Sequence, residues 1–260
     1  MLEPIPQNPI VNAGLLYVNG LQMSITSNTV GVKTILVSPG EARDSTNIND
    51  IILDESITIN GANIGPNGVD VVPIIANNFY AVYIIADSTK KKPTAGLFSL
   101  VNNFPPTVPP PFLPLGYDMF RRIGWILTNG SANIVVFYQR GINENRQYYY
   151  DIPINIITDN SSTVYLAIAV VEAVPPLVPS EVLLNIVYTP SSASNKVQFA
   201  LNDSFSNQAG IIQFGCGVAA LQTGTISVPT SQLPFQRINC LVNSGDVVTL
   251  NAVGYTDYLS

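Results

Sequence analysis

Five carboxylates lie close together between residues 44 and 70: Asp44, Asp50, Asp54, Glu55 and Asp70. Two carboxyl groups held about 5–10 Å apart, one with a raised pKa, are the equipment of a glycosidase. Here, however, they sit among asparagines and glycines, where Asp ordinarily closes turns through its own side chain. The stretches 47–50 and 63–70 also offer Asp and Asn oxygens to calcium, but without the ligand spacing of an EF-hand or a glycine-rich calcium repeat. No catalytic residue, metal site or cofactor is assigned.

Two other constellations remain. Arg121 and Arg122 stand together in a chain with only 11 basic residues. Strict strand alternation puts Arg121 in a row with Ile123, Trp125 and Leu127, and turns Arg122 to the other face with Gly124 and Ile126. A guanidinium at the head of an apolar row needs a carboxylate, and Asp44, Asp70 and Asp118 are the candidates for an intrachain ion pair. The alternative is contact with an anion or a sugar. The second constellation is Tyr148, Tyr149 and Tyr150 followed by Asp151, the chemistry of a glycan or partner contact. Three alternating tyrosines leave at least one facing outward; the competing reading is core packing.

The absence of histidine removes His-based triads and His-ligated zinc. Cys216 and Cys240 are too few for a disulfide scaffold and are read as buried free thiols, with one cross-strand disulfide as the alternative. Net charge is −6, and Lys90-Lys91-Lys92, before Pro93, reads as a loop tip. With no basic face, nucleic-acid binding is not expected. No apolar run of about 18 residues points to membrane insertion, and the first residues do not read as a signal peptide. Charged residues are 11% of the chain, far below the usual ~25%, with Asn, Ser, Thr and Gln in their place. A polar but weakly charged surface suits a protein that packs against copies of itself.

The elements that must position these residues read as short strands separated by turns. The expected class is all-β, an antiparallel sandwich or jelly-roll, as one unit or two β domains. Residues 1–14 hold Pro4, Pro6 and Pro9 and form an extended arm; 15–174 form a sandwich core; 175–260 form a C-terminal β region, a second sandwich or part of the first. Segments 79–86 and 164–171 are rich in β-branched and aromatic residues and are expected as buried central strands. Segments 121–127 and 134–139 are expected as a hairpin across Asn129-Gly130. The proline runs at 105–111 and 175–179 are read as connectors.

Several pieces, in order, resemble a group of tailed-bacteriophage virion proteins of the tail, fibre or head-associated kind. They are Gly20-Leu21 with Arg43-Asp44-Ser45; Gly65-Pro66-Asn67-Gly68-Val69-Asp70; the aromatic strand from Phe79; Leu115-Gly116-Tyr117 through Arg121-Arg122-Ile123-Gly124; and Gly254-Tyr255-Thr256-Asp257. The chain departs from the family in its proline-rich loop before the arginines and in Trp125. The resemblance implies a non-enzymatic protein located in the virion, with no catalytic residues to carry over. It implies partnership with other virion proteins and with other copies of itself, as a trimer by analogy with fibres. A module recognising a host surface glycan is the alternative function, and capsid decoration an alternative location.

Overall fold

The computed structural model describes residues 17–25, 31–100, 112–141, 143, 145–176, 180–200, 211–215, 217–230 and 236–259. The expected N-terminal arm and the 105–111 connector lie outside them. Among the described residues every regular element is a strand, so the class is all-β and sandwich-like.

Three sheets form the N-terminal part. β1 (Val18–Gly20), β4 (Gly40–Arg43) and β5 (Asp50–Leu53) make one small sheet in the order β1-β4-β5. β2 (Met23–Ile25), β3 (Thr34–Val37) and β6 (Ile57–Asn60) make a second, ordered β2-β3-β6. The third holds β7 (Gly68–Val69), β8 (Phe79–Ala86), β9 (Ala95–Leu100) and β10 (Met119–Leu127) in the order β10-β8-β9-β7. Every residue of β8 is buried, as its unbroken apolar run, mostly aromatic and β-branched, demands. β6 lies over β9 so closely that a Cβ on Gly96 would strike Ile59. All strand pairs are antiparallel except the short parallel pairing of β7 with β9.

The C-terminal part is two facing sheets. β11 (Phe137–Arg140), β12 (Asn145–Asn160), β14 (Ser180–Thr189), β17 (Gln222–Pro229) and β19 (Val247–Tyr258) are ordered β11-β12-β19-β14-β17. β13 (Leu166–Ala169), β15 (Val197–Ala200), β16 (Ile212–Phe214) and β18 (Arg237–Leu241) are ordered β13-β18-β15-β16. Phe214 of the second sheet lies against Gly224 of the first, where a side chain would not fit. Register shifts in the β12–β19 and β14–β19 ladders bend the long strands. One end of the five-stranded sheet meets β8 and β10, with Tyr255 against Phe79 and Asp257 against Arg122, and its face also meets the β13 sheet.

The sheets cross residue 175: β11 and β12 join β14, β17 and β19 in one sheet. Two expectations are corrected. The hairpin across Asn129-Gly130 is reduced to one bridge, Thr128 with Ile134. Asn129 closes that loop, its Oδ1 accepting from the amides of Ser131 and Asn133. The chain then leaves one sheet for the other, so β10 pairs with β8 and β11 with β12. Finally, the 164–171 strand is not a buried central one. β13 is an edge strand with three of its four residues exposed. Hydrophobicity alone does not distinguish a covered strand from a bare apolar edge.

Candidate functional site

The arginine pair enters β10 just before a β-bulge. Arg122 is opposite Tyr83 and Gly124 opposite Val82, which leaves Ile123 as an extra residue. A bulge reverses the alternation beyond it. Arg122, not Arg121, therefore comes to share a side with Trp125, and its guanidinium lies 5.2 Å from the centre of that ring.

Both arginines are buried. Arg122 Nη1 donates to Asp257 Oδ2 at 2.6 Å, an ion pair with almost no solvent exposure on either side. Arg121 Nη2 donates to the Leu259 carbonyl at 2.6 Å. The three carboxylates expected beside Arg121 are engaged elsewhere. Asp44 accepts from Thr46 Oγ1, the Ile48 amide and Asn49 Nδ2, closing its own loop. Asp70 accepts from Ser99 Oγ at 2.6 Å, and desolvation nevertheless raises its pKa. Asp118 accepts from Ser88 Oγ and the Ser88 amide, which hold it below the usual carboxylate range.

A third guanidinium completes the cluster. Arg146 on β12 is fully buried and sits opposite Asp257 in the β12–β19 ladder. Its donors go to main-chain carbonyls: Leu21 at 2.7 Å, Gly20 at 2.7 Å and Ile123 at 2.9 Å. Gly20 and Leu21 both have positive φ, 67° and 50°. A bulky residue adopts that region only at a cost, and here the turn directs two successive carbonyls at one guanidinium. Desolvation lowers the Arg146 pKa and nearby Arg122 works the same way, while Tyr148 and Asp257 oppose them.

The aromatic residues pack beneath. Tyr148 and Tyr255 are direct cross-strand partners, stacked 4.7 Å apart at 11°. Tyr255 also meets Phe79 edge-on at 6.3 Å, joining β19 to β8. Desolvation foremost, then the Asp257 charge, pushes the Tyr148 phenol well up. Tyr150 donates to the Ala173 carbonyl at 2.7 Å. Two glycines make room for Tyr148: a Cβ on Gly124 would overlap its phenolic oxygen, and one on Gly254 its main-chain oxygen. The space left among Trp125, Leu127, Val135, Phe137, Tyr148, Tyr150 and Tyr255 is only about 10 Å³. A single water needs about 10–15 Å³ by the same measure, so no organic ligand enters here.

Of the tyrosine run, only Tyr149 faces outward. It is half-buried, with Arg140 lying 5.3 Å from its ring centre. Tyr138, 54% exposed, is its cross-strand partner, and Asp151 is exposed. The early carboxylates do not converge on a metal: among the described residues no three His, Cys, Asp or Glu side chains gather to hold one. Asp50 pairs instead with Arg43 at 3.3 Å. Cys240 is a buried free thiol, and Cys216 lies outside the described residues.

Comparison with known families, with characterised proteins and with solved structures finds no match to this chain.

Sequence reasoning passed over Arg146 and did not pair Asp257 with the arginines. The signal for Arg146 was its spacing, two and four residues ahead of Tyr148 and Tyr150, which puts all three on one face of a strand. The link to Asp257 spans 135 positions and leaves no local trace.

Proposed function

We propose that this chain is a non-enzymatic structural component of a tailed-phage virion, a tail, fibre or adaptor-type protein that acts through symmetric self-assembly and contact with other virion proteins. The observation that carries this reading is the meeting of the segments that resemble that group. Arg122 of Arg121-Arg122-Ile123-Gly124 pairs with Asp257 of Gly254-Tyr255-Thr256-Asp257. Gly20 and Leu21 accept from Arg146, and Ser45, beside Asp44, donates its amide to Phe120 of β10. Asp70 binds both the main chain of Phe98 and the side chain of Ser99. Residues that look like recognition chemistry in the sequence thus hold the sheets together. That supports a lineage defined by its fold rather than by an active site.

The test is a whole-particle density map with mass spectrometry of purified virions. The protein is expected as a stoichiometric component whose density accepts this fold, and the map also separates tail from capsid decoration. Purified particles that lack the protein would refute the reading.

A second reading, recognition of a host surface glycan, is favoured by one observation: exposed Tyr138 stands beside Tyr149 and Arg140 on the outer face of the β11–β12 ladder. Tyrosine faces flanked by polar side chains are suited to stacking a sugar ring. Glycan-array binding that disappears in Tyr138→Ala and Tyr149→Ala would favour this reading over purely structural assembly.

A further inference from the structure

One flank of the C-terminal sandwich carries two bare strand edges. Among the described residues β13 is the end strand of its sheet and pairs only with β18. β12 is accompanied by β11 only as far as Tyr150, opposite Phe137. Beyond that point, among the described residues, β12 has a strand partner on the β19 side alone. β12 and β13 lie near each other, while Phe214 of β16 packs on Gly224 of β17 at the other end of the two sheets, so both free edges belong to one flank.

The β13 side of that flank is apolar for a surface, while the free stretch of β12 carries exposed Asp151, Pro153 and Asp159. Ile152 is 73% exposed, Val164 69%, Val171 45% and Leu166 38%, and Ala167 and Ala169 are exposed between them. Residues 164–171 contain no charged side chain and no proline. Edge strands are normally guarded against pairing by shortness, a charge, a proline or a bulge. β13, four residues long, has only the first of these. The opposite edge of the sandwich, β17, presents Thr223 and Thr225 and ends in Pro229. An open groove of about 510 Å³ adjoins the bare flank, with Ile154 and Val171 in its wall.

We infer that a second copy of this chain covers this flank, the two β13 edges pairing antiparallel about a two-fold axis. The composition selects that occupant. A strand with no charge meets its own image without like-charge conflict. Pairing centred on Ala167 places Leu166 opposite Ile168, and Ala169 opposite Tyr165 just before the strand begins. Each pair shares one face, so the sheet continues across the axis with its core side unbroken. Self-complementarity of this kind is the requirement of an isologous interface. The inference rests on the reading of the chain as a self-assembling protein and specifies the surface that does it.

The test is light scattering on the full chain across a concentration series, with Ala167→Lys and Ala169→Lys on this edge and Thr225→Lys on the opposite one. All three positions are exposed, and thermal melts confirm that each variant is folded. The wild type is expected as a dimer or a multiple of one. Both alanine variants should fall to half that mass or to monomer, and Thr225→Lys should keep the wild-type mass. An oligomer that survives both alanine variants overturns this flank as the interface while leaving self-assembly standing. A trimer overturns the two-fold arrangement. A wild type that is monomeric throughout overturns both the interface and the self-assembly reading.

Discussion

Arg122 and Asp257 lie 135 positions apart in the chain and meet at 2.6 Å in its interior, the guanidinium resting beside the Trp125 ring. The contact joins β10 to β19, and so the N-terminal sheets to the C-terminal sandwich. Removing one partner of a buried pair strands the other charge away from water, at a cost of about 3–5 kcal/mol. Arg122→Ala and Asp257→Ala are each expected to lose that much in urea unfolding. The double variant should lose clearly less than the sum. Additive losses would mean that the pair is not energetically coupled.

The fold should also weaken in acid through Asp246. Burial raises its pKa, but hydrogen bonds from the Ser191 amide, the Tyr188 hydroxyl, Asn195 and the Ser191 hydroxyl outweigh that and bring it to about 2. The unfolded value is about 3.9. A depressed folded pKa contributes stability above the unfolded value, and that stability is lost as pH falls toward the folded one. The window is therefore about pH 4 to 2, and the contribution is about 2 kcal/mol. Urea midpoints measured across it should fall less steeply in Asp246→Asn than in the wild type. Some slope will remain, since Asp44, Asp87 and Asp118 are lowered too. Equal slopes would remove Asp246 from the account.

What the sequence made legible follows from the range of the interactions involved. The all-β class was visible because strand composition and turn residues are local. The buried strand at β8 was visible because eight consecutive residues carry the signal. The role of Arg122 was not, because a single bulged residue, Ile123, reverses which side chains share a face, and strict alternation assigns the opposite one. Tyr149 as the outward member of its run followed from alternation only up to parity. Which parity faced inward depended on Tyr255, more than a hundred residues away.

Gly124 tests the bulge directly. A methyl group there would collide with the Tyr148 hydroxyl and the end of Met23. Gly124→Ala is expected to lower stability by about 1–3 kcal/mol, the usual range for overpacking a filled core. Adding Tyr148→Phe removes the oxygen in conflict, so the double variant should melt above Gly124→Ala alone. If it melts below, the strain lies against Met23 or in the backbone at φ 154° rather than in the contact with Tyr148.

Cys240 reports on the β13-β18-β15-β16 sheet, which carries none of the arginine cluster. Its thiol is fully buried, and desolvation pushes its pKa up to about 12. The thiolate is the reactive form, so at pH 8 both access and ionisation oppose alkylation. Iodoacetamide is expected to leave Cys240 unmodified in the folded protein and to label it fully in denaturant, read by peptide mass spectrometry. Its labelling rate through a urea titration then measures the opening of the β15–β18 layer, because Phe199 is its direct cross-strand neighbour. If the β13 edge is covered by a second copy, that rate should fall with rising protein concentration in the wild type but not in Ala167→Lys. Fast labelling without denaturant would instead show that the layer opens readily on its own, and that a bare β13 edge reflects a loose sheet rather than an interface.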